Sequence, residues 1–194
     1  MKKIFYLLAI SGSAFVLQSC GNSAKRATDI SDTSIVANDS TFSTDTASRT
    51  LVDRDTSFAN KAAVGGMAEV AFGKMAMEKA TNSMVKDFAA MMVKDHGKAN
   101  EELKAIAASK NIALPVGLDG EHARKQQELE AKSGKAFDKA YVTDMVEGHE
   151  KTLALMEDAS QNCKDAELKA FAASTSSVVK HHLEMIRKIQ SDLK

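Results

Sequence analysis

Residues 91–98 read MMVKDHGK and residues 144–151 read DMVEGHEK, so a Met-Val-x-x-His-x-Lys string recurs with its histidine, His96 then His149, in the same place. Glu69 and His182 likewise interrupt stripes of otherwise apolar residues. Charged and imidazole groups are rarely buried unless they are paired or coordinate something. Carboxylate and imidazole ligands from facing helices are how metal sites in helical bundles are built. Glu69, His96, His149 and His182 are therefore the candidate metal ligands. Glutamate with histidines suits zinc or iron. Met92, Met145 and Met185, each within one helical turn of a histidine, would add thioethers that suit Cu(I). A plainer reading stands beside each of these. A histidine in a stripe can be a hydrogen-bonded core residue, the methionines can be gap-filling core, and Glu69 can form a buried ion pair with a histidine. The repeated string itself can arise when two Ala-rich helices do the same packing job.

The elements that would position these residues are helices. Apolar residues recur at 3–4-residue spacing in four segments, as expected for helices with one buried face. They run over about 55–80 (Phe58, Ala62, Glu69, Phe72, Ala76), 82–110 (Phe88, Met92, His96, Leu103), 135–161 (Phe137, Tyr141, Met145, His149, Met156) and 164–193 (Leu168, Phe171, Thr175, His182, Ile189). Asn82 is the expected N-cap of the second. The expected fold is all-α, a ferritin-like four-helix bundle. Its long connection between the second and third helices holds the sole proline, Pro115, and a short extra helix over 119–132. Gly65, Gly66 and Gly73 predict close backbone packing in the first helix, with a kink at the Gly65-Gly66 pair.

Heights along the bundle divide the candidates. Counted from the turns near residues 81 and 163, Glu69, His96 and His149 lie level. His182 falls about 7 Å away at ~1.5 Å per residue, at the height of Asp144, which predicts that His182 misses the site and pairs with Asp144. Asp95 and Glu150, beside their histidines, are expected to support the ligands from behind, and His122 and His181 to be solvated.

The N-terminal 19 residues have the order of a signal peptide: Lys2 and Lys3, an apolar stretch from Ile4 to Leu17, then Leu17-Gln18-Ser19-Cys20. The last four resemble the lipobox of bacterial lipoproteins, in which Cys20 would be acylated and become the new N-terminus, anchored to a membrane without spanning it. A plain signal peptide with an incidental cysteine is the alternative. Residues 20–54, rich in Ser, Thr, Asp and Asn, are expected to be a disordered tether. As a random coil, residues 21–54 would reach roughly 30 Å. The bundle domain is expected over 55–194. Loss of residues 1–19 would leave 24 basic against 26 acidic residues. No basic excess then points to nucleic acid. Cys163 would be the one remaining thiol, unable to form an internal disulfide and expected to be buried or idle.

The segments GGMAEVAFGKMA (65–76), VKDFAAMMVKDHGKANEELKAIA (85–107), FDKAYVTDMVEGHEKTLALME (137–157) and LKAFAASTSSVVKHHLEMI (168–186) resemble, in order, the bacterial family called domain of unknown function 4142. The family pattern falls on Glu69, Asp95, His96, His149 and His182. The resemblance implies a ferritin-like fold and an envelope location, and supplies no activity. Di-iron members of the wider ferritin-like group carry Glu-x-x-His motifs. Here Val93 and Val146 stand where those glutamates would be, so a metal-dependent redox enzyme would lack its bridging ligands. No phosphate-cradling loop or nucleophile motif is present, and no enzyme is expected. The leading expectation is a non-enzymatic metal-binding lipoprotein, on an outer-membrane anchor because Gly21 rather than Asp follows Cys20, and facing the periplasm because no acidic run follows Cys20. The second is an envelope interaction or stress-related protein with purely structural buried His and Glu. The sequence identifies no protein partner beyond the membrane reached through the lipid anchor.

Overall fold

The computed structural model describes residues 43–193. The signal peptide, Cys20 and residues 21–42 of the expected tether lie outside the described residues. Five α-helices follow in order: α1 (Ser43–Lys79), α2 (Ser83–Ser109), α3 (Gly120–Glu130), α4 (Gly134–Asn162) and α5 (Ala166–Asp192). The helix starts earlier than expected at α1, because polar composition argues against burial, not against helix. Once packing has nucleated a helix, each further residue adds one hydrogen bond at little cost. The other boundaries fall close to the expected ones. Asn82 caps α2 by accepting from the backbone N–H groups of Met84 and Val85, and α3 occupies the expected place in the long connection.

Side-chain contacts fix the directions. Asp138, at the start of α4, meets Thr81 and Asn82 just beyond the end of α1. Asp55, early in α1, meets Lys164 and Asp165 just beyond the end of α4. The two helices are therefore antiparallel. Lys110, after α2, pairs with Asp165 and Glu167 at the start of α5, so α2 and α5 are antiparallel too. The order is up-down-down-up, the ferritin-like arrangement. α3 returns along the α1/α4 side, with Leu129 buried beneath it and Lys125 and Lys151 tying it to α4.

Two apolar clusters fill the interior. One, towards the α1–α2 turn, contains Phe72, Phe88, Met92, Phe137, Tyr141, Met145 and Ile186. The other, towards the α4–α5 turn, contains Phe58, Leu103, Met156, Leu168 and Phe171. Each long side chain contributes about 1.5–3 kcal/mol on burial. Along every helix the candidate ligands lie between members of the two clusters, forming a polar waist.

The helix-1 glycines divide. A Cβ on Gly73 would stand 3.0 Å from Val93 Cγ2 and 3.1 Å from the Ala89 carbonyl oxygen, whereas one on Gly65 would meet nothing within 4 Å. Close packing thus explains Gly73 and not Gly65, and α1 runs as one helix through the pair. Gly73→Val is expected to destabilise the bundle by roughly 2 kcal/mol through overpacking against a backbone that cannot yield. Gly65→Ala is expected to stabilise it by about 0.5–1 kcal/mol through helix propensity. Urea midpoints of the two variants check both signs.

Candidate metal centre

Each of the four bundle helices brings one polar residue to the waist, and all four are buried: Glu69 at 5 %, His96 at 4 %, His149 at 0 % and His182 at 1 % exposure. The imidazole centroids form a nearly equilateral triangle, with sides of 5.5 Å (His96–His149), 5.3 Å (His96–His182) and 5.6 Å (His149–His182). Phe88 flanks the triangle, its ring centroid 6.0 Å from that of His149 and 6.3 Å from that of His182.

One nitrogen of each imidazole lies beside a protein acceptor, hydrogen-bonded in His149 and His182 and in ion-pair contact in His96, where both Glu69 oxygens are buried without a hydrogen-bond partner. His96 Nδ1 lies 2.8 Å from Glu69 Oε2. His149 Nδ1 donates to the Met145 carbonyl at 2.8 Å, one turn back, with Glu69 Oε1 at 3.6 Å. His182 Nε2 donates to Asp95 Oδ2 at 3.2 Å. The other nitrogens, His96 Nε2, His149 Nε2 and His182 Nδ1, are buried without a hydrogen-bond partner. The three histidines each offer a ligand atom within 4.8 Å of the others. A carboxylate or carbonyl beside one ring nitrogen and no partner on the other is the pattern of an oriented metal-binding histidine. Metal–nitrogen bonds of ~2.0–2.1 Å in a tetrahedral set require nitrogens about 3.4 Å apart, so the rings need close by little more than 1 Å.

His182 joins the triangle, contrary to the height count, and its partner is Asp95. Asp144 pairs instead with Lys125 at 3.3 Å. Side chains lean towards the N-terminus of their own helix. His149 on the descending α4 and His182 on the ascending α5 therefore lean towards each other, closing an axial offset that counting alone leaves open. Glu69 contacts the Nδ1 atoms of His96 and His149, not the nitrogens left free. Glu150 faces outward and pairs with Arg187 at 2.7 Å. His122 lies 2.7 Å from Asp119 and His181 is exposed. Met92 and Met145 belong to the apolar core, Met145 serving His149 through its backbone. Cys163 is buried, and burial together with nearby Asp55 pushes its thiol up to about 12.

Electrostatics divide the triad. Burial pushes Glu69 up, but the three histidines, His96 foremost, hold it below the usual carboxylate range. Burial likewise opposes a charged His96, and Glu69 overcomes it, so His96 is raised. Burial and the charge of His96 lower His149 despite Glu69. Burial and then His96 bring His182 down to about 4 against the pull of Asp95. His149 and His182 thus keep their lone pairs available at neutral pH.

The sign of the consequence for stability is fixed. A folded-state value below the unfolded one loses stability as pH falls between the two, here from 6.5 to about 4 for His182. His96, being raised, gives stability that is already complete below its unfolded value, and so does not offset the loss. His182 alone then removes up to about 3 kcal/mol. Urea midpoints of the metal-free chain are expected to fall across this window, and to fall less steeply in His182→Leu.

A family model, domain of unknown function (DUF4142), matches residues 40–189. The chain belongs to this family. No curated protein matches the sequence. Among solved structures, a DUF305 protein from Streptomyces coelicolor is 14 % identical, covering 72 % of this chain and 93 % of its own with a TM-score of 0.62. A DUF305 fragment from Deinococcus radiodurans is 10 % identical, covering 72 % and 96 % with a TM-score of 0.64. CopM in its Cu(II)-bound form is 15 % identical, covering 72 % and 97 % with a TM-score of 0.63. At these identities the likeness is one of fold, and this DUF4142 chain shares their helical-bundle architecture.

Proposed function

We propose that this DUF4142 protein is a non-enzymatic transition-metal-binding module of the bacterial envelope, holding one copper ion through His96 Nε2, His149 Nε2 and His182 Nδ1. The observation that carries the reading is that three buried imidazoles, each with one nitrogen beside an acceptor and the other without a partner, offer ligand atoms within 4.8 Å of one another. Burying such groups without a ligand costs stability, and an ion would offset that cost. Glu69 and Asp95 are the positioning residues behind His96 and His182. Copper is favoured over zinc and iron because divalent ions bind nitrogen sites most tightly at Cu(II). The Cu(II)- and Ag-bound forms of the fold relative CopM support the same choice. The bridging carboxylates of di-iron oxidation chemistry are missing from the sequence, which supports a binding rather than a catalytic role.

The envelope part of the proposal rests on the signal-peptide order of residues 1–19 and the lipobox-like Cys20, acylated and anchored in the outer membrane with the bundle in the periplasm. No helix among the described residues is long and apolar enough to cross a membrane. Calorimetric titration of the full chain with Cu(II), Zn(II) and anaerobic Fe(II) tests the ion. Stoichiometric binding, tightest for Cu(II), is the expected result. Absence of stoichiometric binding would favour a structural role for the waist. Labelled-acyl incorporation that disappears in Cys20→Ser tests the anchor.

A further inference from the structure

Two grooves reach the polar waist from opposite sides. The groove between α1 and α4, about 250 Å³, reaches Glu69 and Met145 but none of the three histidines. α3 lies over it, fastened by Lys125–Asp144 at 3.3 Å and Lys151–Glu121 at 3.1 Å, and Lys61 adds a further positive charge to its wall. The groove between α2 and α5, about 440 Å³, is lined by His96 itself, with Asp95, Glu102, Lys98, Thr175 and Val178. No helix covers that side among the described residues. His96 Nε2 is buried and unpartnered, and the Asp95 side chain, 32 % exposed, already touches His182.

We infer that the metal cation loads and unloads through the α2/α5 groove, drawn in by Glu102 and Asp95 and delivered to His96 first, and not through the α1/α4 groove. This rests on the metal-binding reading above. The physical reasons are two. A cleft lined by negative charge raises the local concentration of a cation and its association rate. The opposite groove balances its three lysines with Glu69, Glu121 and Asp144, so it concentrates no cation, and none of the three histidines lines it. Asp95 thereby has two tasks, orienting His182 and flanking the path. Glu102 touches neither the histidines nor their acceptors and acts on the path alone.

Stopped-flow uptake of Cu(II) by the full chain, followed by its visible absorption, separates the routes. Val178→Trp narrows the α2/α5 groove at an exposed position and is expected to slow uptake and chelator-driven release by the same several-fold factor, leaving the affinity unchanged. Thr152→Trp, in the α1/α4 groove, is expected to leave both rates unaltered. Glu102→Lys is expected to slow uptake about tenfold at low ionic strength, with the difference closing as salt screens it. Glu157→Lys, at an exposed position of α4 outside both grooves, is the matching control. Slowing by Thr152→Trp alone, or equal rates in all four variants, would overturn the inferred route while leaving the metal site standing. Failure of the unaltered chain to bind Cu(II) would overturn the site and the route together.

Discussion

His149→Ala is expected to abolish stoichiometric Cu(II) binding, lowering affinity by more than the 10–100-fold typical of losing an outer-shell partner. His149 is fully buried, and its Nδ1 is fixed by the Met145 carbonyl, so its removal takes one of three imidazoles from the waist. The truncation also removes core volume, and an apo-state cost on the order of 1–3 kcal/mol accompanies it. The two effects separate by measuring thermal midpoints with and without the ion. A ligand that binds only the folded state at ~100 times its Kd adds about 2.7 kcal/mol, a rise of several degrees. That rise should be present in the unaltered chain and missing in His149→Ala. A midpoint lowered equally with and without copper in the variant, and unresponsive to copper in the unaltered chain, would make His149 a packing residue.

Asp138→Ala is expected to be the most destabilising polar substitution away from the centre, by about 3 kcal/mol. Asp138 is 2 % exposed and accepts from Thr81 N at 2.9 Å, Asn82 N at 3.0 Å and the Thr81 hydroxyl. Hydrogen bonds to a charged acceptor are worth more than neutral ones, and removing one partner strands the others in a buried place. Asp138→Asn, which keeps the shape and one acceptor oxygen, should recover part of the loss. Denaturant midpoints and slopes measure both. A loss below about 1 kcal/mol would mean that water replaces the carboxylate.

The positions of Asp55 and Asp138 also explain what the sequence could and could not convey. Each sits early in its helix and closes the turn of the opposite hairpin, which matches α1 with α4 and α2 with α5. On that matching His96 corresponds to His182, and Glu69 to His149. The MVxxH strings of α2 and α4 thus join helices that are not equivalent. They share a task, placing a core methionine one turn before a waist histidine. Period and composition were enough for the bundle, the crossover helix and all four buried waist residues, because burial of a polar group in an apolar stripe shows in one dimension. The Asp95–His182 contact did not show, since it depends on the lean of side chains on oppositely directed helices. Nor did the two turn-closing aspartates, whose partners lie more than fifty residues away. The early start of α1 was hidden by a polar composition that resembles a tether.

The measurement that bears most directly on the centre is pulsed EPR of the full chain loaded with one equivalent of Cu(II). The arrangement of free nitrogens predicts couplings from three imidazoles, falling to two in each of His96→Leu, His149→Leu and His182→Leu. A spectrum of weakly held surface copper, the same in all three variants as in the unaltered chain, would contradict the metal centre outright.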